Sequence, residues 1–341
     1  MSIGVAVIGY GYWGVNLARN VAAVPATDVI GVADPSADRR ELAAANLPGI
    51  DTWDTLEDAL DDPRVEAVVL ATPASTHTSM ALASLEAGRD VLVEKPLAET
   101  SADAEKLLDV ALDRGRILMV GHTFLYSPTV LALGDMIDAG ELGAIQYLYS
   151  QRLSLGRIRR DCNALWNFAP HDISIMLHLL GDTVTEVTAK GFSFIEPGID
   201  DVCFASLTFD SGIGANLHVS WIDPRKTRLM TVVGDEKMAI YNDVSVDQPL
   251  WVVDSGVAKD QDLGEYESMG DFQWRTRSGD IVIPRIEMSE PLRNEITAFA
   301  EACETRIPPR TDAQHGLEVV RVLEAIDRSA NAAGRPVELD R

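Results

Sequence analysis

Residues 5–14, VAVIGYGYWG, place three glycines between an apolar run and the start of a helical apolar pattern. Gly9, Gly11 and Gly14 have the GxGxxG spacing. In a strand-turn-helix unit the first glycine permits a tight turn, the second lets a pyrophosphate approach the backbone, and the third allows close helix–strand packing. The helix N-terminus directs its free amide groups at the phosphates. The segment therefore predicts a dinucleotide-binding turn.

A second predicted strand, residues 28–33, ends at Asp34, twenty residues beyond Gly14. At this distance a βαβ unit places the acid that accepts hydrogen bonds from the adenosine ribose. The negative charge of Asp34 would repel a 2′-phosphate, which favours NAD, but Arg39 and Arg40 follow closely and leave NADP as the alternative. A βαβ unit that binds no nucleotide is the competing interpretation.

Strands and helices alternate through the first part of the chain. Helical patterns separate the short apolar runs at residues 65–71, 91–93 and 117–120. Near-continuous apolar strands are typical of parallel sheets that helices cover on both faces. The pattern predicts an α/β fold, a doubly wound parallel sheet of the Rossmann type, over residues 1–124.

From residue 125 onward the pattern changes, because apolar or alternating segments follow one another without a helix between them. These segments lie at residues 184–190, 202–209, 214–221, 228–233 and 238–241. Such a series predicts an antiparallel meander. We expect residues 125–341 to form a second, α+β domain that binds substrate, and this domain includes the two helical patterns that close the chain.

Charge and composition exclude several function classes. The chain has 341 residues and a formal net charge of −24, which argues against nucleic acid or an anionic membrane as a partner. No apolar run is long enough to cross a bilayer, so we expect a cytoplasmic protein. Cys162, Cys203 and Cys303 are far apart in the sequence, so we expect reduced thiols and no metal site.

The ligand crevice of a doubly wound sheet lies beyond the carboxyl ends of its strands. Several polar residues directly follow the predicted strands, at the same edge as the glycine-rich turn. We expect the cofactor to contact Gly9, Gly11, Tyr12, Trp13, Gly14, Asp34, Thr72, Pro73, His77, Glu94, Lys95 and His122.

Lys95 follows the predicted strand at residues 91–93 and is one of only six lysines in the chain. An ammonium group at this edge can bind a substrate hydroxyl and stabilise the alkoxide that develops as hydride leaves the same carbon. Pro96 restricts the backbone of Lys95 away from helix, which helps to fix the direction of the side chain. The alternative is a surface ion pair with an acid.

His171 lies in the segment WNFAPHD, where Pro170 predicts the start of a helix. An imidazole titrates near neutral pH, so His171 can accept the hydroxyl proton while the hydride passes to a nicotinamide ring. A buried or helix-capping histidine is the alternative.

Arg152, Arg157, Arg159 and Arg160 lie within nine residues of an otherwise acidic chain. Guanidinium groups bind phosphate oxygens in bidentate fashion, so this cluster favours an anionic substrate such as a diphosphate. Subunit contacts or surface salt bridges are the alternative for such a run of charge.

With the segments VIGYGYWG, ATPASTH, VEKPLA, VGHTFLYSP and WNFAPHDISI, the chain resembles the Gfo/Idh/MocA oxidoreductases, named for glucose-fructose oxidoreductase and inositol dehydrogenase. The likeness extends over essentially the whole chain, and the EKP tripeptide after the Rossmann strands is quite specific. The resemblance implies an N-terminal Rossmann domain and a C-terminal domain with a large open antiparallel sheet. It also implies tightly held NAD or NADP, and oxidation or reduction of a sugar or cyclitol carbon.

By this resemblance Lys95 corresponds to the family's catalytic lysine and His171 to its catalytic histidine. Many members carry aspartate four residues before the histidine, where this chain has Asn167. Because asparagine does not accept a proton, we expect Asn167 to orient substrate through hydrogen bonds. His171 would then act with Lys95 alone or with Asp172.

Among family members the chain looks most like those of nucleotide-sugar pathways, which oxidise the 3-hydroxyl of an NDP-hexose. We expect the substrate to contact Lys95, Tyr126, Arg152, Arg157, Trp166, Asn167 and His171. The alternatives are an inositol or free-sugar dehydrogenase, a glycosidase that uses bound NAD transiently, and a non-catalytic regulator that senses a dinucleotide. The family also implies a homodimer or homotetramer formed through the C-terminal sheet.

Overall fold

The computed structural model describes residues 2–156, 158–257 and 276–339, which divide into two compact units. The first unit comprises the chain up to Ser127 together with Ser289–Glu324. The second comprises the described residues of Pro128–Met288 and those from Ala325 onward. None of the helices in these ranges has the length and apolar character needed to cross a membrane.

The strands form one sheet in each unit. In chain order they are β1 (Ile3–Ile8), β2 (Thr27–Ala33), β3 (Asp51–Trp53), β4 (Ala67–Leu70), β5 (Asp90–Glu94), β6 (Leu118–Gly121), β7 (Ile145–Leu155), β8 (Val184–Phe192), β9 (Val202–Phe209), β10 (Gly214–Ser220), β11 (Ile222–Gly234), β12 (Met238–Asn242), β13 (Leu250–Val257), β14 (Thr276–Val282) and β15 (Val337–Glu338). The first sheet has the order β3-β2-β1-β4-β5-β6, and the second has the order β14-β13-β12-β11-β7-β10-β9-β8-β15.

The helices cover these sheets. They are α1 (Gly14–Ala23), α2 (Ala37–Asn46), α3 (Leu56–Leu60), α4 (Ala74–Glu86), α5 (Ser101–Arg114), α6 (Pro128–Asp138), α7 (Ala164–Leu180), α8 (Pro291–Thr305) and α9 (Ala313–Asn331). A 3₁₀ turn, Thr123–Tyr126, follows β6. Helices α1–α5 and α8 belong to the first unit, α6 and α7 to the second, and α9 runs from one unit into the other.

The first sheet is parallel throughout. Its inner strands β1, β4 and β5 are almost entirely buried, as expected for a sheet with helices on both faces. The strand order reverses direction between β1 and β4, which makes the end of β1 the switch point of a doubly wound sheet. The predicted Rossmann fold of this part of the chain is therefore confirmed.

The second sheet is mixed, and most of its neighbouring strands are antiparallel. β8, β9 and β10 form the predicted antiparallel meander. The expected large antiparallel sheet is therefore confirmed, with one exception. β7 lies between β10 and β11, and it is parallel to β10 and antiparallel to β11. The parallel pair joins strands that α7, β8 and β9 separate in sequence, and no local pattern reveals such a long-range pairing.

One face of the second sheet is covered and the other is open. Along β9 the side chains of Cys203, Ala205, Leu207 and Phe209 are buried, and the residues between them are exposed. The covered face packs against α7 through β7, β9 and β10. The opposite face carries exposed aromatic side chains, which include those of Tyr147, Tyr149 and Phe204.

Two boundaries differ from those that the sequence predicted. Helix α7 begins seven residues before His171, because the Asn163 side chain accepts the Trp166 N–H at 3.0 Å and acts as its N-cap. Pro170 therefore lies inside the helix and not at its start. In addition, the chain returns to the first unit at Ser289, whereas the sequence analysis assigned everything after residue 125 to a second domain.

Helix α8 carries a fully buried carboxyl group, that of Glu295. Its Oε2 accepts a hydrogen bond from Thr123 Oγ1 at 2.9 Å. Burial, reinforced by the charge of Glu94, raises the pKa of Glu295 well above its usual value, and the Thr123 hydrogen bond offsets this only in part. The folded protein therefore favours a protonated, neutral Glu295.

We expect the substitution Glu295→Gln to stabilise the protein at high pH and to have little effect at low pH. Above the pKa of the unfolded chain, about 4.3, the folded state still binds the Glu295 proton that the unfolded state has released. The free energy of unfolding of the wild type therefore falls as pH rises through this region. The expected gain in Tm is near zero at about pH 4 and roughly 2–4 °C at pH 8.

Thermal unfolding followed by circular dichroism at both pH values measures this difference. The control is Glu301→Gln, at an exposed position of the same helix. A Tm for Glu295→Gln below that of the wild type at pH 8 would contradict a neutral Glu295.

Candidate active site

The glycine-rich turn connects β1 to α1 at the carboxyl edge of the first sheet. Gly9 has a left-handed φ of +90°, and a Cβ atom on Gly14 would lie 2.0 Å from the Gly9 carbonyl oxygen. The backbone itself therefore requires these two glycines. A Cβ atom on Gly11 would meet no atom within 4 Å, so the space beside Gly11 is open to a ligand. This arrangement fits the pyrophosphate of a dinucleotide.

Asp34 follows β2 and supports the same turn. Its Oδ2 accepts the Tyr10 N–H at 2.7 Å, and its Oδ1 accepts the Ser36 N–H at 2.9 Å. Each carboxylate oxygen accepts two hydrogen bonds, so Asp34 retains capacity for a ribose hydroxyl. The guanidinium group of Arg40 binds the Asp34 carbonyl at 2.7 Å and the Asp54 carboxylate at 2.9 Å, and protein groups therefore hold it in place.

A cavity of about 360 Å³ opens at the ends of β1, β2 and β4. Gly9, Pro35 and Thr72 line it on the strand side, and Leu56 and Met80 add apolar surface from α3 and α4. A mostly apolar slot beside Pro35, which follows Asp34, has a character that suits the adenine end of a dinucleotide. Thr72, a predicted cofactor contact, lines this cavity.

His77 lies in the first turn of α4, and Pro73 is the exposed N-cap residue directly before this helix. The His77 ring is 1% exposed, with Nδ1 2.8 Å from the Pro96 carbonyl oxygen and Nε2 3.0 Å from the Thr72 carbonyl oxygen. Burial lowers the pKa of His77. The structure therefore places His77 between two backbone segments, where it positions the residues after β4 and β5. This corrects the expectation that its ring contacts a cofactor.

The Glu94 side chain connects the glycine-rich turn to the EKP segment. Its Oε1 accepts a hydrogen bond from the indole N–H of Trp13, and Gly121 on the neighbouring strand β6 leaves room for the carboxylate. A Cβ atom on Gly121 would lie 3.1 Å from Glu94 Oε1. Burial raises the pKa of Glu94 to about 7, although the charge of Lys95 and the Trp13 hydrogen bond act in the opposite direction. Glu94 can therefore gain or lose a proton near neutral pH.

Lys95 directly follows β5 and is partly exposed. The peptide bond between Lys95 and Pro96 is cis. Burial is the main cause of the raised pKa of Glu94 and of the lowered pKa values of His77 and His122, and the nearby Lys95 charge acts on all three groups. In this environment the ammonium group can bind a hydroxyl oxygen and stabilise negative charge on it.

His122 and Tyr126 lie in the interior of the first unit. The His122 ring is 1% exposed and packs edge-on against His315, with ring centroids 5.5 Å apart. The Tyr126 ring is 4% exposed, and its hydroxyl lies 3.0 Å from Thr311 Oγ1. The sequence analysis assigned His122 to the cofactor and Tyr126 to the substrate. The structure corrects both assignments, because burial removes these side chains from a ligand-accessible surface.

In the second unit, helix α7 carries the other predicted site residues. The side chains of Trp166, Asn167 and His171 are partly exposed, whereas most of their neighbours on this helix are buried. Asn167 and His171 are four residues apart and therefore lie one above the other on the same helix face. This face can present an amide and an imidazole to one substrate.

Arg152 is separate from the exposed arginines. Its side chain is 5% exposed, and its Nε and one terminal nitrogen each bind a carboxylate oxygen of Asp172 at 2.9 Å. The structure therefore corrects one expectation. Arg152 does not present its guanidinium group to a diphosphate, because this group is buried against Asp172.

The remaining arginines of the cluster differ in their surroundings. Arg159 pairs with Asp161, and Arg160 Nε lies 3.1 Å from Glu196 Oε2, both at the surface. Arg157 lies outside the described residues. Exposed ion pairs of this kind contribute little stability and exchange partners easily, so Arg159 and Arg160 can still bind an anion.

Sequence reasoning missed the role of Gly121. Gly121, the last residue of β6 and in register with Glu94 on β5, leaves room for a carboxylate that a larger residue would crowd. The sequence shows a glycine at the end of one predicted strand and a glutamate at the end of another. Only the strand order shows that these two residues are paired neighbours.

Two family models match the chain. Residues 3–122 match the GFO/IDH/MocA oxidoreductase family with its NAD-binding Rossmann fold, and residues 130–240 match the GFO/IDH/MocA C-terminal domain. Among the relatives, the scyllo-inositol 2-dehydrogenase (NAD(+)) of Bacillus subtilis is 30% identical over 231 residues, which are 64% of this chain and 67% of that protein.

A nucleotide-sugar enzyme is similar to a comparable degree. The UDP-N-acetylglucosamine 3-dehydrogenase of Acidithiobacillus ferrooxidans is 30% identical over 239 residues, or 68% of this chain and 72% of that protein. Its solved structure matches with a TM-score of 0.82 and 25% identity over 97% of this chain and 99% of that chain. GenD2 from gentamicin A biosynthesis, solved in complex with NAD, matches with a TM-score of 0.81 and 25% identity over 100% of this chain and 97% of that chain.

We expect Gly11→Ala and Gly14→Ala to separate cofactor binding from folding. The added methyl group of Gly11→Ala enters open space, so the Tm without cofactor should stay within about 1 °C of the wild type. The same methyl group occupies space that the pyrophosphate needs, so NAD affinity should fall on the order of tenfold or more. Gly14→Ala forces a methyl group against the Gly9 carbonyl and should lower the Tm by roughly 4 °C or more.

Differential scanning fluorimetry without NAD and isothermal titration with NAD measure the two effects. An unchanged Kd for NAD in a folded Gly11→Ala variant would mean that the pyrophosphate does not lie at this turn.

Proposed function

Because the chain belongs to the GFO/IDH/MocA oxidoreductase family, we propose that it is a dehydrogenase that oxidises the 3-hydroxyl of an NDP-hexose with NAD. The family binds NAD, and the relatives are named as dehydrogenases of sugars or polyols, which act on a CH–OH group. The observation that carries the finer assignment is the similarity to UDP-N-acetylglucosamine 3-dehydrogenase in both sequence and structure, the latter over almost the whole chain.

Lys95 and His171 divide the chemistry in this proposal. The Lys95 ammonium donates a hydrogen bond to the oxygen of the reacting carbinol and stabilises the negative charge that develops there. The His171 imidazole accepts the hydroxyl proton. NAD, when bound, accepts the hydride from the same carbon. The alcohol thus loses one proton to His171 and one hydride to the cofactor, and a carbonyl group remains.

Asn167 stands where many family members carry an aspartate, so this position has an amide in place of a carboxylate that could accept a proton. It lies one turn before His171 on the same helix face, where its amide can donate to one sugar oxygen and accept from another hydroxyl. Because the amide does not titrate, we assign the proton to His171. Asn167 is therefore proposed to orient the sugar.

The first unit favours NAD over NADP in this proposal. The Asp34 carboxylate is held in place by the Tyr10 and Ser36 amides, and its charge repels a 2′-phosphate. Arg40 already binds Asp54 and the Asp34 carbonyl, so it is a poor candidate to neutralise that phosphate.

An inositol dehydrogenase is the second candidate, and the similarity to scyllo-inositol 2-dehydrogenase favours it. The two candidates differ in the charge of the substrate, because inositol lacks the diphosphate of an NDP-hexose. The surface arginines Arg159 and Arg160 favour the anionic substrate.

A substrate panel tests the assignment. With NAD, we expect kcat/KM for UDP- or dTDP-hexoses to exceed that for myo-inositol, scyllo-inositol and D-glucose by about 100-fold or more, because the latter lack the diphosphate contacts. Lys95→Met and His171→Asn should each lower kcat on the order of 10²- to 10⁴-fold. The control is Lys106→Met, at an exposed position of α5.

NADH absorbance and mass spectrometry of the product, followed together, measure turnover. Preferential turnover of an inositol would replace the first candidate with the second. Product formation without net NADH would contradict both.

The open face of the second sheet is our proposed self-association surface. Tyr147, Tyr149 and Phe204 are 39–47% exposed there, and the Phe204 and His218 rings stack at 4.2 Å. A contiguous exposed apolar face of this kind is typical of protein–protein contacts. We propose that two copies of the chain pair through this face, in a homodimer or a homotetramer.

Phe204→Glu should therefore shift the wild-type oligomer towards monomer. The substitution places a carboxylate on the proposed contact face of each copy, where pairing would remove it from water. Size-exclusion chromatography with multi-angle light scattering measures the mass, and Leu112→Glu, at a residue of α5 that is 70% exposed, is the control. A monomeric wild type, or an unchanged oligomer in Phe204→Glu, would contradict the proposal.

A further inference from the structure

The covered face of the second sheet contains a buried ion pair that joins β7 to α7. Arg152 of β7 and Asp172 of α7 form two parallel hydrogen bonds of 2.9 Å, and both side chains are 5% exposed. Burial disfavours the guanidinium charge, but the charge and hydrogen bonds of Asp172 outweigh burial and raise the pKa of Arg152. The two parallel hydrogen bonds therefore fix the geometry of the pair.

Arg152 has a second arginine as its neighbour in the sheet, and the two bind carboxylates from different elements. Arg152 lies directly opposite Arg228 on β11, so two like charges are neighbours across the strands. Each arginine has its own carboxylate: Arg228 binds Asp243 at 2.8 Å, and Arg152 binds Asp172. The sheet supplies the partner of Arg228, whereas α7 supplies the partner of Arg152.

Helix α7 needs such an anchor because of Pro170. Pro170 has no N–H group, so the hydrogen bond to the Trp166 carbonyl, four residues earlier, cannot form. The helix is weakened at the turn that precedes His171. Asp172 is the second residue after this break, and its carboxylate ties the following turn to the sheet.

We propose that the Arg152–Asp172 pair is a positioning device that fixes the rotation of α7 about its axis and so holds the His171 imidazole in its catalytic orientation. Residues 171 and 172 project about 100° apart around a helix, so a fixed Asp172 fixes the direction of His171. Neither member of the pair touches substrate. The inference rests on the proposed role of His171 as the proton acceptor.

Arg152→Lys tests the proposal, because lysine keeps the charge but cannot form the two parallel hydrogen bonds. We expect kcat to fall on the order of 10- to 100-fold, since a small misplacement of a catalytic group has effects of this size. The Kd for NAD should not change, because the dinucleotide site belongs to the other unit. Arg228→Lys is the matched control, since it alters the adjacent ion pair of the same sheet and should leave kcat near the wild-type value.

A double variant separates orientation from stability. Arg152→Met with Asp172→Leu removes both charges together, so no unpaired charge remains buried and the Tm should return close to that of the wild type. We expect kcat to remain low in this variant, because apolar contacts do not fix the rotation of the helix. A kcat that recovers together with the Tm would show that the pair only stabilises the unit, and would overturn the proposal.

His171→Asn distinguishes failure of this inference from failure of the proposed function. If His171→Asn loses turnover while folded Arg152→Lys keeps wild-type kcat, the histidine role stands and the positioning role is overturned. If His171→Asn keeps wild-type turnover, the proposed function of the histidine fails, and the inference fails with it.

Discussion

The contact between the Gly9 carbonyl and Gly14 is the constraint on which the first unit depends. Because neither residue has a side chain, the turn after β1 brings the start of α1 against Gly9, and the N-terminal amides of α1 lie at the carboxyl edge of the sheet. Trp13, immediately before this helix, is thereby brought within hydrogen-bonding distance of Glu94 at the end of β5. A single close backbone approach thus places the phosphate cradle and the EKP segment at one edge.

Each unit buries a carboxyl group, and the two groups have different surroundings. The first buries Glu295 without a cationic partner, and the carboxyl group is kept neutral. The second buries Asp172 with Arg152, and two parallel hydrogen bonds join the carboxylate to the guanidinium group. A neutral acid imposes little direction on its neighbours, whereas a bidentate ion pair allows only a narrow range of geometries. This difference explains why the pair lies beneath the helix that carries His171.

The sequence predicted the elements whose signals are local and failed where the structure depends on distant pairing. The Rossmann strands, the glycine-rich turn and the two helices that close the chain followed from apolar periodicity and from the spacing of the glycines. The insertion of β7 between β10 and β11, and the return of the chain to the first unit at Ser289, join segments far apart in sequence. For the same reason Arg152 looked like part of an exposed cluster, and the burial of His122 and Tyr126 could not be foreseen. The prediction that a helix starts at Pro170 was wrong, because the sequence does not distinguish a proline in the first turn of a helix from one inside it. The structure shows that Asn163 is the N-cap.

Three ionisable groups near β5 form a coupled set rather than independent sites. The charge of Lys95 opposes the protonation of Glu94, and Glu94 in turn favours the protonation of Glu295. If Glu295 carried a charge, its repulsion would hinder the ionisation of Glu94 and so weaken the anionic environment of Lys95. Because Glu295 is buried and favours its neutral form, it adds no second negative charge beside Glu94, whose pKa burial raises to about 7. The Glu94 carboxylate and the Lys95 ammonium group then attract each other, and this ammonium group can donate a hydrogen bond to a substrate oxygen.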